Sequence, residues 1–124
     1  MIIEIFSMLL LGWVAFGAVG RSMESGEWEG FVMFGRGGDS FKPCGSRETW
    51  WIKVKGFSRA LDELRAQYNE IAEHPYDPVY LRISGEVSKK GQFGPLGSYQ
   101  RVVYVEEVLE VRTRQDNDCR KRRV

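Results

Sequence analysis

Alternation of apolar and polar residues dominates the chain from residue 28 to residue 112 and predicts β-strands. Five segments show the pattern: 28–34, 40–43, 49–55, 79–88 and 99–112. In the third segment, Trp50 and Ile52 share one face, and Trp51 and Lys53 share the other, because successive strand side chains point to opposite sides. Each segment therefore has one face suited to a core and one suited to solvent.

One amphipathic helix is predicted between the third and fourth strands. After Gly56, Ser58 provides an N-cap, and apolar residues follow with alternating spacings of four and three to a helix end near Glu73. This stripe consists of Phe57, Leu61, Leu64, Tyr68 and Ile71. Pro75 then prevents the helix from continuing.

The last two strands contain residues that predict local irregularities. Gly85 predicts a bend in the fourth strand, and the adjacent Glu106 and Glu107 break the alternation of the fifth as a β-bulge does. Residues 89–98 contain three glycines and Pro95, which predicts a loop.

The element order, three strands, one helix and two strands, predicts a mainly β fold. It is the order of a five-stranded oligonucleotide/oligosaccharide-binding (OB) barrel, here formed by residues 28–112. Residues 21–27 are expected to be a polar spacer. Residues 113–124 are expected to be a charged tail, frayed apart from Cys119.

An apolar segment precedes the predicted barrel. Residues 5–20 carry no charge, and this run is shorter than the roughly 20 residues of a membrane-spanning helix. It resembles the hydrophobic region of a secretory signal, with small residues at positions 18–20, although the preceding residues include Glu4 and no Lys or Arg. We interpret residues 1–20 as a signal peptide or an N-terminal membrane anchor; a buried helix is the alternative.

The two cysteines of the chain, Cys44 and Cys119, raise three chemical alternatives. A structural zinc site needs about four Cys or His ligands, and a cysteine nucleophile needs a nearby His base. His74 is the single histidine. An even cysteine count in an exported chain favours a disulfide, and we expect the first and last strands of the closed barrel to be neighbours that bring the two cysteines together. We therefore predict a Cys44–Cys119 disulfide, no metal, no cofactor and no enzymatic activity.

A candidate binding surface follows from the OB prediction. Such barrels bind through strands two and three and the loops that join strands one to two and four to five. The residues selected by this mapping are Trp51, Lys53, Lys55, Arg36, Lys89, Lys90, Gln92 and Phe93. Aromatic and basic side chains suit stacking and phosphate contacts. The alternative is that Trp51 only covers a seam of the barrel.

The chain resembles a known family of envelope proteins over residues 28–119. The segments FKPCGSRETWWI, LRAQYNEI, PVYLRISGEVS and VVYVEEVLEVR, with the closing Cys119, are similar to the OB-fold C-terminal domain of NlpE-type envelope lipoproteins. The resemblance implies a non-enzymatic OB domain in the cell envelope, from a family linked to surface sensing and to copper or envelope stress. We expect a stand-alone relative, without the family's Cys-x-x-Cys barrel and lipidated cysteine.

Two functions are compatible with these features. The first is an exported binding module, periplasmic or anchored in the inner membrane and facing the periplasm, whose partner is an envelope protein or a small ligand. The second is a cytoplasmic OB protein that binds single-stranded nucleic acid. The net charge of +1 gives no reason to expect a polyanionic partner, and nothing indicates an obligate oligomer.

Overall fold

The computed structural model describes residues 23–36 and 38–120, which form a closed five-stranded barrel with one helix. The elements are β1 (Glu24–Gly35), β2 (Gly38–Pro43), β3 (Trp50–Lys53), α1 (Ala60–Ile71), β4 (Val79–Val87) and β5 (Arg101–Arg112). The prediction of a mainly β barrel with a helix between the third and fourth strands is confirmed. The predicted signal peptide or anchor, residues 1–20, lies outside the described residues.

The barrel closes in the order β1-β2-β3-β5-β4, with β4 pairing back onto β1. The β3–β5 pairing is parallel, and the other pairings are antiparallel. The expectation that the first and last strands are neighbours was wrong: β1 pairs with β2 and β4, and β5 pairs with β3 and β4. The reason is that β5 enters between β3 and β4 and not beside β1.

Alternation in the strands builds the core. The buried apolar side chains include Val32, Phe34, Phe41, Trp50, Ile52, Leu81, Ile83, Val103 and Val105. The helix adds Leu64 and Tyr68, and the Tyr68 ring meets Phe34 edge to face at 5.0 Å. Each fully buried side chain of this size stabilises the fold by about 1.5–3 kcal/mol.

Several predicted boundaries differ from the structure. β1 begins at Glu24, so part of the predicted 21–27 spacer belongs to the barrel, because residues 24–27 pair with the end of β4. β3 ends at Lys53. The helix begins at Ala60, whose N–H donates to Ser58 Oγ at 3.2 Å, while Phe57 is fully exposed and outside the stripe.

Two bulges bend β5 against β4. The pairing skips one β5 residue between Ser84 and Gly85 and another between Arg82 and Ile83. The first shift leaves Glu106 without a paired position, as the sequence predicts, and it places Glu106 and Glu107 both in solvent. A bulge changes the direction of the strand, which a small closed barrel requires.

The bend at Gly85 depends on close backbone contact. A Cβ built at Gly85 would overlap the carbonyl oxygen of Tyr104 in β5. A Cβ at Gly26 in β1 would meet only the Trp28 ring, at an ordinary 3.5 Å.

We predict that Gly85→Ala destabilises the protein by about 2–3 kcal/mol, because the barrel backbone must move apart at this point. Gly26→Ala is the matched control and should change the free energy of unfolding by less than about 0.5 kcal/mol. Urea unfolding followed by tryptophan fluorescence measures both. Equal effects of the two substitutions would contradict the role assigned to the Gly85 contact.

The segment after β5 folds back across the barrel instead of fraying as expected. The Arg112 guanidinium lies 3.9 Å from the Tyr80 ring of β4, and that of Arg114 lies 5.2 Å from Phe31 of β1. Asp118 accepts two hydrogen bonds from Arg112, at 2.7 and 3.2 Å. The chain thus crosses β4 and β1 in succession, which explains how the residue after Asp118 reaches the end of β2.

Cys119 is joined to Cys44 by a disulfide at the end of this crossing, with Cα atoms 5.1 Å apart. The bond therefore links the returning tail to the end of β2, by a route different from the predicted pairing of first and last strands. The Cys44 N–H donates to the Glu29 carbonyl oxygen at 2.8 Å, which fixes this end of the link to β1.

We predict that Cys44→Ser/Cys119→Ser lowers the free energy of unfolding by about 4–5 kcal/mol, because the bond closes a loop across a sequence separation of 75. Denaturant unfolding of the oxidised protein and of the double variant measures the difference. Gln67→Ala/Glu70→Ala, two exposed positions of α1, is a control for the effect of a double substitution. A loss below about 1 kcal/mol would contradict the prediction.

Candidate functional site

Trp51 and Tyr99 form the centre of the outer surface beside β3. Trp51 points outward from β3, opposite to the buried Trp50 and Ile52, as the alternation predicts. Its ring is stacked with Tyr99, with centroids 6.3 Å apart and an interplanar angle of 19°. Tyr99 itself is only 8% exposed, and this burial raises the pKa of its hydroxyl. Trp51 is half-buried, so part of an aromatic surface is open to a ligand.

The connection between β4 and β5 holds Tyr99 in place. Phe93 and Tyr99 exchange two backbone hydrogen bonds, at 2.9 and 3.1 Å, and the Gly91 N–H donates to the Gln100 carbonyl oxygen at 2.8 Å. A Cβ at Gly94 would lie 2.5 Å from the Tyr99 ring and 3.3 Å from that of Trp51. The loop backbone therefore rests directly on the stacked pair.

Three lysines in β2, in β3 and just after β3 differ in their contacts. Lys53 Nζ lies 4.3 Å from the centroid of the Trp51 ring, a cation–π contact. Lys42 is exposed on the neighbouring β2. Lys55, which the sequence placed with them, forms an ion pair with Glu86 that raises its pKa, and its Nζ lies 5.5 Å from the Tyr104 ring. Lys53 is thus the cation in direct contact with Trp51.

Arg36 is placed elsewhere. It lines an open groove of about 480 Å³ between the β1–β2 turn and the helix, together with Phe34, Arg65, Tyr68 and His74. Arg65 is held there by Asp39, at 2.6 Å, and lies over the Phe34 ring at 4.7 Å. The predicted site therefore has two parts. One is the Trp51 surface, which consists of Trp51, Lys53, Tyr99 and Lys42, and the other is the groove beside the helix, which Arg36 lines.

Glu48 organises the end of the barrel next to the Trp51 surface. It accepts hydrogen bonds from Trp50 Nε1 at 2.9 Å and Arg101 Nε at 2.8 Å, and Lys90 Nζ lies 3.9 Å away. The Trp50 hydrogen bond, followed by the charges of Arg101 and Lys90, lowers the pKa of Glu48 below its ordinary value of 4.5. Lys90 thus lies at the edge of this cluster, and both Lys89 and Lys90 are exposed.

The sequence did not select three of these residues. The pattern places Tyr99 at the start of a strand, Glu48 in a connection and Lys42 at an ordinary strand position. The fold of the β4–β5 loop brings Tyr99 onto Trp51, and the pairing of β2 with β3 places Lys42 on the neighbouring strand. Glu48 bonds to Trp50, the residue before Trp51. The Trp51–Lys53 alternation was a usable signal, whereas no local pattern indicates that Tyr99 stacks on Trp51.

The cysteines and His74, considered in the sequence as metal ligands or catalytic groups, have other contacts in the structure. Cys44 and Cys119 are bonded to each other. His74 is exposed after the helix, and its backbone N–H donates a hydrogen bond to Asp77 Oδ2 at 2.8 Å. In the described ranges, no three metal-ligating side chains are grouped, and no helix has both the length and the apolar character to cross a bilayer.

Comparisons with models of protein families, with curated proteins and with solved structures found no match for this chain. Its function is therefore inferred from its own residues.

We predict that Glu48→Gln destabilises the protein by about 1–2 kcal/mol at pH 7, because the ionised carboxylate has charge-assisted hydrogen bonds. A lowered pKa means that this stabilisation is complete above pH 4.5 and is lost as the pH falls through the folded-state pKa. The difference between wild type and variant should therefore shrink below about pH 4 in thermal unfolding. Glu63→Gln, on the exposed helix surface, is the control. A difference that stays constant from pH 7 to pH 3 would contradict this assignment.

Proposed function

We propose that this protein is an exported, non-enzymatic OB-fold module of the bacterial envelope, related to the C-terminal domain of NlpE-type lipoproteins. It binds an envelope protein or a small ligand through the Trp51 surface, defined as Trp51, Lys53, Tyr99 and Lys42. Residues 1–20 direct it to the periplasm, where it is released or stays anchored in the inner membrane. Its binding serves surface sensing or the response to envelope stress.

The observation that carries the binding role is the Trp51–Tyr99 stack with Lys53 above the Trp51 ring. The half-buried Trp51 ring beside a flexible lysine gives a ligand an apolar contact and one adjustable positive charge. The closed barrel with β2, β3 and the β4–β5 loop around this pair agrees with the surface that OB folds use.

The disulfide supports export. Structural disulfides persist in oxidising compartments and are rare in the cytosol. The Cys44–Cys119 bond joins segments that are far apart in sequence and orders the tail across two strands. A protein whose fold uses such a bond is suited to the periplasm.

Compartment and disulfide can be tested together in bacteria that produce the full chain. Cell fractions are quenched with acid and treated with a thiol-reactive polyethylene glycol, before and after reduction. We expect protein in the envelope or periplasmic fraction that is modified only after reduction. Protein in the cytosol with both thiols free would contradict export.

We predict that a photoreactive phenylalanine analogue at Lys53 gives a cross-linked adduct in intact cells. The same analogue at the exposed Phe57, away from the Trp51 surface, should give none. Trp51→Ala should lower the Lys53 adduct about tenfold, because central aromatic contacts carry a large share of binding energy. Equal adduct yields at positions 53 and 57, or no effect of Trp51→Ala, would contradict the proposed site.

The second candidate is binding of single-stranded nucleic acid, favoured by the same aromatic stack with lysines. Titration with oligonucleotides at 50 and 200 mM salt, followed by tryptophan quenching, separates it from the first. Nucleic-acid binding would weaken strongly as salt rises, and Trp51→Ala would cost about 1–3 kcal/mol. Absence of quenching at both salt concentrations removes this candidate.

A further inference from the structure

Leu96, at the tip of the β4–β5 loop, is a large apolar side chain that lies entirely in solvent. The described residues include three exposed large apolar side chains, Phe57, Tyr76 and Leu96, and Leu96 is fully exposed. Its backbone has φ +61°, in the left-handed region. The neighbouring left-handed positions of the tip are both glycine, Gly94 and Gly97.

The backbone of this tip is fixed. The Gly97 N–H donates to the Gly94 carbonyl oxygen at 3.1 Å, and Ser98 Oγ donates to that of Pro95 at 3.2 Å. The base of the loop is closed by the paired Phe93 and Tyr99. The loop therefore presents Leu96 at a defined position, although its side chain packs on nothing.

A leucine here works against the stability of the fold. An L-residue in the left-handed region is strained, whereas glycine adopts this conformation freely. The exposed side chain returns no burial energy to offset that strain. Strained residues that persist in a well-fixed loop point to function.

Charge around Leu96 indicates what it meets. Residues 89–98 contain two cations, Lys89 and Lys90, and no acidic residue. Both lysines are exposed. Lys90 Nζ lies 3.9 Å from Glu48, whose carboxylate also accepts hydrogen bonds from Trp50 and Arg101. The loop thus combines one projecting apolar side chain with a net positive charge.

We propose that the 89–98 loop docks onto the surface of an anionic lipid bilayer. Leu96 enters the boundary between headgroups and acyl chains, and Lys89 and Lys90 contact lipid phosphates. A bilayer accepts one apolar side chain flanked by cations without a preformed pocket. A nucleic acid offers phosphates for the lysines but no stacking partner for a leucine. Neither residues 1–20 nor the identity of the ligand at the Trp51 surface enters into the case for this docking.

The docking is tested with a local probe in the full chain. Because both native cysteines are in the disulfide, Leu96→Cys can be labelled with an environment-sensitive NBD fluorophore. We expect a blue shift and a several-fold rise in emission with vesicles containing phosphatidylglycerol, and not with phosphatidylcholine alone. Glu70→Cys with the same label, on the exposed face of α1, is the matched control and should show neither. The probe reports only its own surroundings, so binding of residues 1–20 does not produce the signal.

Two variants then separate the contributions to binding. Lys89→Gln/Lys90→Gln should weaken the response of the probe at position 96 about thirtyfold, at roughly fivefold per cation near an anionic surface. Leu96→Gly should raise the melting temperature by relieving strain and weaken vesicle binding about tenfold. Equal responses at positions 96 and 70, no dependence on anionic lipid, or a response to oligonucleotides in place of vesicles would overturn the proposal.

Discussion

Pairing of β5 with both β3 and β4 is the constraint on which the rest of the structure depends. β5 runs parallel to β3 along four residue pairs and antiparallel to β4 from Val103 to Arg112. A strand that closes a small barrel by pairing with both neighbours must bend, and the two bulges in β5 and the close approach at Gly85 provide that bend. The helix then closes one end of the barrel through Leu64 and Tyr68.

Both ends of β5 acquire their positions from this pairing. Its first residues lie beside β3, so the loop before it folds over Trp51, and Tyr99 stacks there. Its last residues lie beside β4, so the tail after it crosses Tyr80 and Phe31 towards Cys44. The Arg112 contact with Tyr80 is strengthened by Asp118, and burial together with a hydrogen bond to Glu29 raises the pKa of Tyr80 to about 12. A single strand therefore places the candidate site and the disulfide.

The sequence predicts the elements of this fold well, because alternation and the helix stripe record which side chains are buried. Trp50 and Ile52 face inward as predicted, and the irregularity at Glu106 is a bulge. Long-range arrangement is less accessible. The cysteines were paired by assuming that the first and last strands are neighbours, whereas the tail reaches Cys44 by crossing two strands on cation–π contacts. Such contacts between a cation and a ring far apart in the sequence leave no periodic signal. The position of Arg36 in the helix groove is equally hidden, because it depends on where the helix lies.

Local rules of sequence and structure agree through most of the described chain, and Leu96 departs from them in both backbone conformation and exposure. The β4–β5 tip needs left-handed backbone at three positions, and glycine meets that need at Gly94 and Gly97. At Gly94 the absence of a side chain is also required by contact with Trp51 and Tyr99. Leu96 has neither justification, since its side chain is in solvent and its backbone is strained. Because Gly94 rests on the aromatic pair while Leu96 projects from the same fixed loop, a partner at either place acts on one rigid unit. Occupation of the Trp51 surface and docking of the tip are therefore expected to be energetically coupled, with a sign set by whether the ligand holds the loop against β3 or displaces it.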